Sequence, residues 1–514
     1  MKIEKYETRK PNISSYLAPC VIGAFFCFLF LFYGVGQYPD SATYIGYNTS
    51  REPLYPLFLK FCRRLAGKEH FLWLAALLQN VLAFFANWYL YRFFVRQFRL
   101  NLLFRIAALL VILAPHLFTS VFTPSGIVLT NAILSEGLTI SLYPLFATFL
   151  LEAFFREKKG YYLAASYVTA LLLSLARGQL MPMFLVWFVV SAAAFARSAA
   201  ASRAAEPGMQ QSVGQEPDMQ TVGAKGQAAA LKGAKEQRPG RGMDAKRICA
   251  ILLALFVATA LGFVLRKSAM RCYHESMTDG VVHANTGGNV TLLTNVLYSA
   301  DEEAVAAAEE ALSDRDAAYL HDIYTQMKEQ GLCASDADSG FHARILHHED
   351  SHDKIKFGIL SVLLTSGVWQ EWYELPEGSK DGFEMAVDED KMAGRLMKAV
   401  LPHSADSFLA TYLYVAAGGF VRTVSLLSPV FSVYALLIYV VAAALMCYLF
   451  KRKSGRDGAW LMAVVLLMTA ANVCATALTI MCLSRYMIYN MTLFYLAGLV
   501  CVWEVVRERF CKER

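Results

Sequence analysis

Tyr16 to Tyr33 reads YLAPCVIGAFFCFLFLFY, a run without a single charged side chain. Lipid offers no partner for an exposed backbone amide, so such a segment is stable in a bilayer only as a helix, and roughly 20 residues at 1.5 Å rise cross the hydrocarbon. Lys2, Lys5, Arg9 and Lys10 precede the run and give it the look of a signal peptide. No small-residue cleavage site follows it, and a polar, Pro-containing stretch begins at once at Tyr38, so it reads as an uncleaved first span.

Counting outward from this run, nine more apolar stretches follow at about 71–91, 104–122, 128–152, 161–177, 180–196, 248–265, 427–450, 459–481 and 486–506. The fifth is short and joins the sixth through the tight stretch Arg177 to Leu180, which suits a hairpin or a partly re-entrant pair. Of the 514 residues, 56% are hydrophobic and 18% charged, which excludes a water-soluble globule. The expected fold is an all-α polytopic membrane protein of about ten transmembrane helices. A net charge of +6 invites a nucleic-acid reading, but the basic residues form short clusters between apolar runs instead of one stripe, which excludes it. Seven of the 11 cysteines (Cys20, Cys27, Cys249, Cys447, Cys474, Cys482 and Cys501) lie in apolar runs and none has CxxC spacing, so neither a disulfide scaffold nor a metal framework is expected.

Lys and Arg clusters orient the chain. With the N-terminus inside, Met1 to Lys10, Arg92 to Arg105, Arg156 to Lys159, Arg197 to Arg247, Lys451 to Arg456 and Arg507 to Arg514 are cytoplasmic, and each is basic. The segment Arg266 to Ser425 falls outside with 25 Asp and Glu against 13 Lys and Arg. The resulting plan is a plasma-membrane protein with both termini cytoplasmic. A module of about six spans (1–197) carries its first outer loop at 35–70. A disordered Ala-, Gly- and Gln-rich linker (198–247) leads to a seventh span (248–266). An external, mostly helical domain (267–425) precedes three C-terminal spans (426–506) and a cytoplasmic tail (507–514). Within the external domain, helical patterns run over Asp301 to Gln330, Gly340 to Ser366 and Asp388 to Leu401, and the apolar Ser407 to Val424 is expected on the membrane surface.

The first outer loop holds the chemistry: Tyr38-Pro39-Asp40-Ser41-Ala42-Thr43-Tyr44, then Arg51-Glu52-Pro53-Leu54-Tyr55-Pro56. A carboxylate just past the end of a span, near hydrocarbon that raises its pKa, suits a base that takes a proton from an acceptor hydroxyl, and Arg51 suits an anionic leaving group. The competing reading is an Asp that caps a helix or faces water.

Pro39-Asp40-Ser41 with Tyr44, followed by Arg51-x-Pro53-x-Tyr55-Pro56, resembles the first outer loop of the GT-C membrane glycosyltransferases. The likeness is to the bacterial relatives of protein O-mannosyltransferases and of the lipid A aminoarabinose transferase. The resemblance implies a GT-C-like fold, a catalytic or acceptor-positioning role for Asp40, and a sugar that arrives on a polyprenyl phosphate. The family often carries a second acid in or near the second outer loop. Val121 to Leu129 has none, and the nearest, Glu136, is expected roughly 15 Å deep in a span that begins near Gly126. An ionisable group inside a span is costly, so Glu136 is a site candidate or a partner of a neighbouring helix.

Arg177 and Arg485 sit at expected outer ends of spans, against the usual charge bias, and a lipid phosphate or ordinary headgroups would hold them there. Arg422 is a weaker third candidate. Tyr44 and Tyr55 are expected to stack on sugar or pack the loop. In the external domain His348 and His352, with Glu349 and Asp353, share helical faces compatible with a divalent ion, although a solvated helix explains them equally and no cofactor is otherwise expected.

The expected function is transfer of a sugar from a polyprenyl-phosphate donor to a glycan, lipid or protein acceptor at the outer face of the membrane, with inversion at the sugar. Membrane lipids are the other expected partners. The rivals are a polar-lipid or polysaccharide transporter or flippase, which calls for broken spans in two matching halves, and a cell-surface polysaccharide polymerase or ligase, whose key Arg and His belong in the late loop.

Overall fold

The computed structural model describes residues 14–47, 51–121, 126–156, 159–204, 245–277, 287–368, 382–452 and 456–512. Among these the chain is helical throughout, and its only extended pairing is a single parallel bridge between Gly36 and Ala132. Eight helices are long and apolar enough to cross a membrane. The other two of the ten expected spans fall on shorter apolar stretches, Leu17–Tyr33 within the helix Ser14–Tyr33 and the 17-residue helix Gly160–Ala176.

Five helices build the first half of the bundle around a polar-edged core: α1 (Ser14–Tyr33), α3 (Leu54–Gln97), α4 (Leu102–Phe118), α5 (Ser135–Phe155) and α6 (Gly160–Ala176). A five-residue α2 (Ser41–Ile45) lies between the first two. Next comes α7 (Met183–Ala204), then α8 (Ala245–Met277). The helix α5 is apolar on every side because it is surrounded by protein: Leu138, Tyr143, Phe146, Leu150 and Leu151 are all buried.

Three boundaries differ from the sequence expectation. The second span is part of the 44-residue α3, which breaks at Gly67, held at a positive φ of 74°. Residues 54–66, expected as outer loop, are therefore helical, with Leu57, Phe61 and Leu65 exposed in one stripe. The seventh span continues to Met277, well past the expected 266, because no Gly or Pro stops it. The expected linker, 198–247, is helical at its two described ends, and its centre, 205–244, lies outside the described residues. The fifth and sixth runs are separate helices joined through Arg177 and the short turn Gly178–Leu180.

The fourth boundary decides the site. The fourth span was expected from residue 128, yet α5 starts at Ser135. The preceding residues form one short 3-10 turn, Leu129–Asn131, set between extended Val128 and Ala132, because they have better partners than a continued α-helix offers. Gly36 donates to the Asn131 carbonyl at 3.0 Å and accepts from the Ile133 amide at 2.8 Å. The Asn131 amide donates to the Leu29 and Gly34 carbonyls. From α3, Asn80 donates to Asn131 Oδ1 at 2.8 Å, and Gln79 donates to the Thr130 and Ala132 carbonyls. Ser41 Oγ closes the clamp on the Ile133 carbonyl. All these groups are buried, so each unpaired partner would be costly. Only glycine fits at 36, where a Cβ would lie 2.2 Å from Ile127 Cγ2.

The domain expected after the seventh apolar run is mostly helical. It consists of α9 (Gly288–Ser299), α10 (Glu302–Glu310), α11 (Asp314–Glu329), α12 (Phe341–Asp353), a π-helical turn Lys354–Leu360, α13 (Ser361–Val368) and α14 (Gly382–Val424). The expected continuous pattern Asp301 to Gln330 is two helices, because Ser313 caps a new one by accepting from the Asp316 amide. Leu293, Leu297, Ile323, Met327, Ile359 and Leu396 form a core of the domain's own. Ser407 to Val424 is not a separate surface segment but the C-terminal part of α14. There Val415 and Ala416 pack on Val473 and Ala477 of α16 (Arg456–Thr479) and on Tyr486 and Met487 of α17 (Ser484–Lys512). Between α14 and α16 runs α15 (Pro429–Lys451).

A reporter inserted at Gly340 is expected to be active only outside the cell, and one joined after Arg514 only inside; the opposite pattern overturns the orientation drawn from the basic clusters. Gly36→Val is expected to destabilise the chain by about 1–3 kcal/mol through overpacking, read as a lower midpoint of thermal unfolding in detergent, and an unchanged midpoint would show that the clamp yields freely.

Candidate active site

Asp40 stands one residue before α2, at the end of the bundle that carries the helical domain, and it makes no side-chain cap hydrogen bond. The capping alternative therefore does not describe it. Arg51 donates to Asp40 Oδ1 at 2.8 Å, and Arg485 lies 3.5 Å from Oδ2. The side chain is 39% exposed. This is not an isolated carboxylate against hydrocarbon but one edge of a charge cluster, with one side open. Arg51 is itself oriented by Thr43 Oγ1 at 2.9 Å, which in turn donates to the Asp40 carbonyl. Burial alone would lower the Arg51 pKa, and Tyr44 and Asp40 more than offset it, so the guanidinium is held firmly charged.

Glu136 is the principal correction. It was expected roughly 15 Å down a span, but the late start of α5 puts it in that helix's first turn, where the helix dipole favours a negative charge. Its side chain is 3% exposed and its Oε2 lies 2.6 Å from Arg177 Nη1. Arg485 Nε is 3.6 Å from Oε1. Arg485 thus touches both acids and joins the two outer loops across the first turn of α17, where a positive charge opposes the helix dipole and needs those acids. Tyr486 lies beneath both guanidiniums, its ring centroid 4.2 Å from Arg177 and 4.9 Å from Arg485, and it accepts from Arg485 at 2.7 Å. Its neighbour Arg485 was singled out from the sequence, but nothing in the pattern marked Tyr486 itself.

The two tyrosines of the first loop pack it. Tyr55 is fully buried and donates to Gln79 Oε1 at 2.8 Å, so its ring is not available to a sugar. Tyr44 meets it edge to face at 5.1 Å, lies under the Arg51 guanidinium at 4.8 Å, and shares a 3.0 Å hydrogen bond with Ser135, which donates to Glu136. Burial, and after it the charge of Glu136, pushes the Tyr44 hydroxyl up to about 12, so it stays a neutral donor. Glu52, adjacent to Arg51, accepts from the Gly178 amide at 2.7 Å and ties the loop to the turn that holds Arg177. That turn has no space for a Cβ at residue 178, which would stand 2.6 Å from the Glu52 carboxylate.

The helical domain adds a cation that sequence reading missed. Lys356, on the π-helical turn, feels burial that lowers its pKa, opposed by Asp353, lowered further by Arg51, and raised by Asp390 and Asp40. The turn therefore brings its ammonium into electrostatic range of the first loop. Asp353, held low first by its hydrogen bond with His352, also feels Arg485. The only signal for Lys356 was a lone Lys amid Ile and Phe.

Arg422 does not join the cluster. It forms an ion pair with Glu349 and donates to the Cys482 carbonyl, so it fastens α12 to the membrane bundle. The same pair removes Glu349 from the expected divalent set, and among the described residues no group of three or more His, Cys, Asp or Glu is arranged to hold a metal ion.

Asp40, Arg51, Glu136, Arg177 and Arg485 thus form one contiguous network of three guanidiniums and two carboxylates, drawn from four separate stretches of chain. Comparison with protein-family models, with curated proteins and with solved structures finds no match to this chain.

Proposed function

We propose that the chain is a membrane glycosyltransferase of the GT-C kind, with about ten spans, that moves a sugar from a polyprenyl-phosphate donor to an acceptor at the outer face of the membrane. The observation that carries this reading is the network itself: a partly exposed carboxylate beside three clustered guanidiniums, two of which, Arg51 and Arg485, are partly exposed. Guanidiniums gathered at one end of a helical bundle suit a phosphate, and a phosphodiester that remains in the membrane by its lipid supplies one.

In this reading the acceptor oxygen attacks the anomeric carbon from the side opposite the phosphate. The carbon–oxygen bond to the phosphate breaks, the polyprenyl phosphate leaves with the electron pair, and the acceptor proton passes to Asp40. Arg51 and Arg485 face the leaving phosphate. Glu136, almost wholly buried behind Arg177 and Arg485, is a positioning residue that keeps both guanidiniums aimed, and Arg177 holds it in place. Rate comes mainly from orientation and from charge stabilisation at the phosphate. An apolar cleft of about 370 Å³ between α4, α15 and α17, lined by Val111, Phe118, Phe431 and Tyr495, lies at the same end of the bundle and suits a prenyl chain.

Asp40→Asn is expected to lower turnover of a polyprenyl-phosphate sugar by about 100-fold or more, at equal abundance and with donor binding kept, and Asp40→Glu to recover part of it. Near-wild-type turnover in the Asn variant would remove Asp40 as the base. Arg485→Gln is expected to weaken donor binding more than turnover, because a phosphate contact present in both ground and transition states acts on KM. Unchanged donor affinity in Arg485→Gln would return this arginine to a purely structural place between the two acids.

A further inference from the structure

A second cavity, of about 320 Å³, lies in the external domain, between the end of α9, the middle of α12 and the membrane-distal part of the Ser407 to Val415 stretch of α14. It is within the ~300–1,000 Å³ range of small-molecule sites. Tyr298, Arg344, His348, Ser407, Thr411 and Tyr414 line it.

The hydrogen bonding of its wall leaves a specific vacancy in acceptor capacity. His347 Nε2 faces the Gly331 carbonyl at 3.1 Å and must donate to it, so its Nδ1 accepts from the Tyr298 hydroxyl at 3.0 Å. The neighbouring His348 is 2% exposed, and its Nε2 donates to Asn295 Oδ1 at 3.2 Å. Burial, with His352 and His347 nearby, lowers the His348 pKa to about 3, so the ring is neutral and its Nδ1 is a bare acceptor. That Nδ1 has no hydrogen-bond partner among the described residues. A buried acceptor left alone is rare, and it belongs to a residue of the cavity wall.

The rest of the wall fits the same ligand. Arg344 donates one N–H to the Tyr414 hydroxyl at 3.1 Å, which leaves that hydroxyl its own proton to give and leaves Arg344 further donors. Ser407 and Thr411 each offer a hydroxyl that can donate or accept, and the tyrosine rings and Ala410 supply apolar surface between them. Alternating donors and acceptors beside aromatic rings complement a ring of hydroxyls with apolar C–H faces.

We propose that this cavity is a saccharide-binding subsite, and that it holds a glycan acceptor for the charge network. The acceptor role rests on the glycosyl-transfer reading; saccharide binding does not. His348, on the cavity wall, and Asp353, which feels Arg485, are five residues apart on α12, roughly 7.5 Å along its axis.

The test uses the full chain in lipid nanodiscs and saturation-transfer NMR with chitobiose, lactose and glucuronic acid as probes. At least one probe is expected to receive saturation from the protein. Ala410→Trp, at an exposed position on the rim, is expected to abolish the signal by filling the cavity, and His348→Leu to weaken binding roughly tenfold, while Asp40→Asn leaves binding unchanged. No transfer to any probe, or equal transfer in Ala410→Trp, overturns the subsite. Saccharide binding that survives Asp40→Asn, in a chain whose turnover that variant leaves intact, supports the subsite while the assignment of Asp40 as base fails.

Discussion

A carboxylate buried at the head of a membrane helix persists only beside positive charge, and the pairing of Glu136 with Arg177 and Arg485 is the constraint on which this end of the bundle depends. Removing one partner would leave the other charge buried and uncompensated, a penalty of about 3–5 kcal/mol. The network therefore forces α5, the turn after α6 and the first turn of α17 to meet at one point. Asp40 and Arg51 then extend it into the first outer loop, where it becomes partly open. Structural need and chemical capacity coincide: the charges that fasten the helices are those an anionic substrate would compete for.

That convergence relies on a second, neutral device. The single bridge between Gly36 and Ala132, with the amides of Gln79, Asn80 and Asn131, holds the residues before α5 in a short 3-10 turn with extended flanks and keeps them out of that helix. Had residues 128–134 been helical, Glu136 would have been carried down into the bilayer. Side-chain amides do this well because each offers two donors and an acceptor to backbone groups that water does not reach. The helical domain is held with comparable economy. Arg422 and Glu349 fix α12, while the long α14 carries the domain's packing directly into the bundle. The π-helical turn between α12 and α13 carries Lys356, and such turns occur frequently at functional sites.

Several features of this arrangement were legible in the sequence and others were not. Asp40, Arg51, Arg177 and Arg485 stood out individually, because a charge beside an apolar run has few innocent explanations, and the structure brings all four together. Glu136 stood out as well, but at the wrong depth. Hydropathy cannot separate Val128, Leu129, Ala132, Ile133 and Leu134 as a buried, mostly irregular segment from the same residues in a spanning helix, since both are apolar and both are shielded from water. Tyr55 shows the opposite failure. The sequence left it to stack on sugar or to pack the loop, and a fully buried ring bonded to Gln79 is the packing alternative.

The sequence by itself determined that the chain belongs in a membrane, roughly where its helices run, and that an acidic helical domain follows the seventh apolar run. Length, hydropathy and charge clusters are local properties, and the bilayer reads them one segment at a time. Only the tertiary structure decided which charges meet. Asp40 and Arg485 are 3.5 Å apart in space although most of the chain separates them in sequence. Whether Glu136 sits at the surface, whether Lys356 reaches the first loop, and whether His348 keeps an unsatisfied nitrogen all depend on hydrogen bonds between distant segments. Buried polar groups must find partners wherever the fold supplies them, and that search has no local signature.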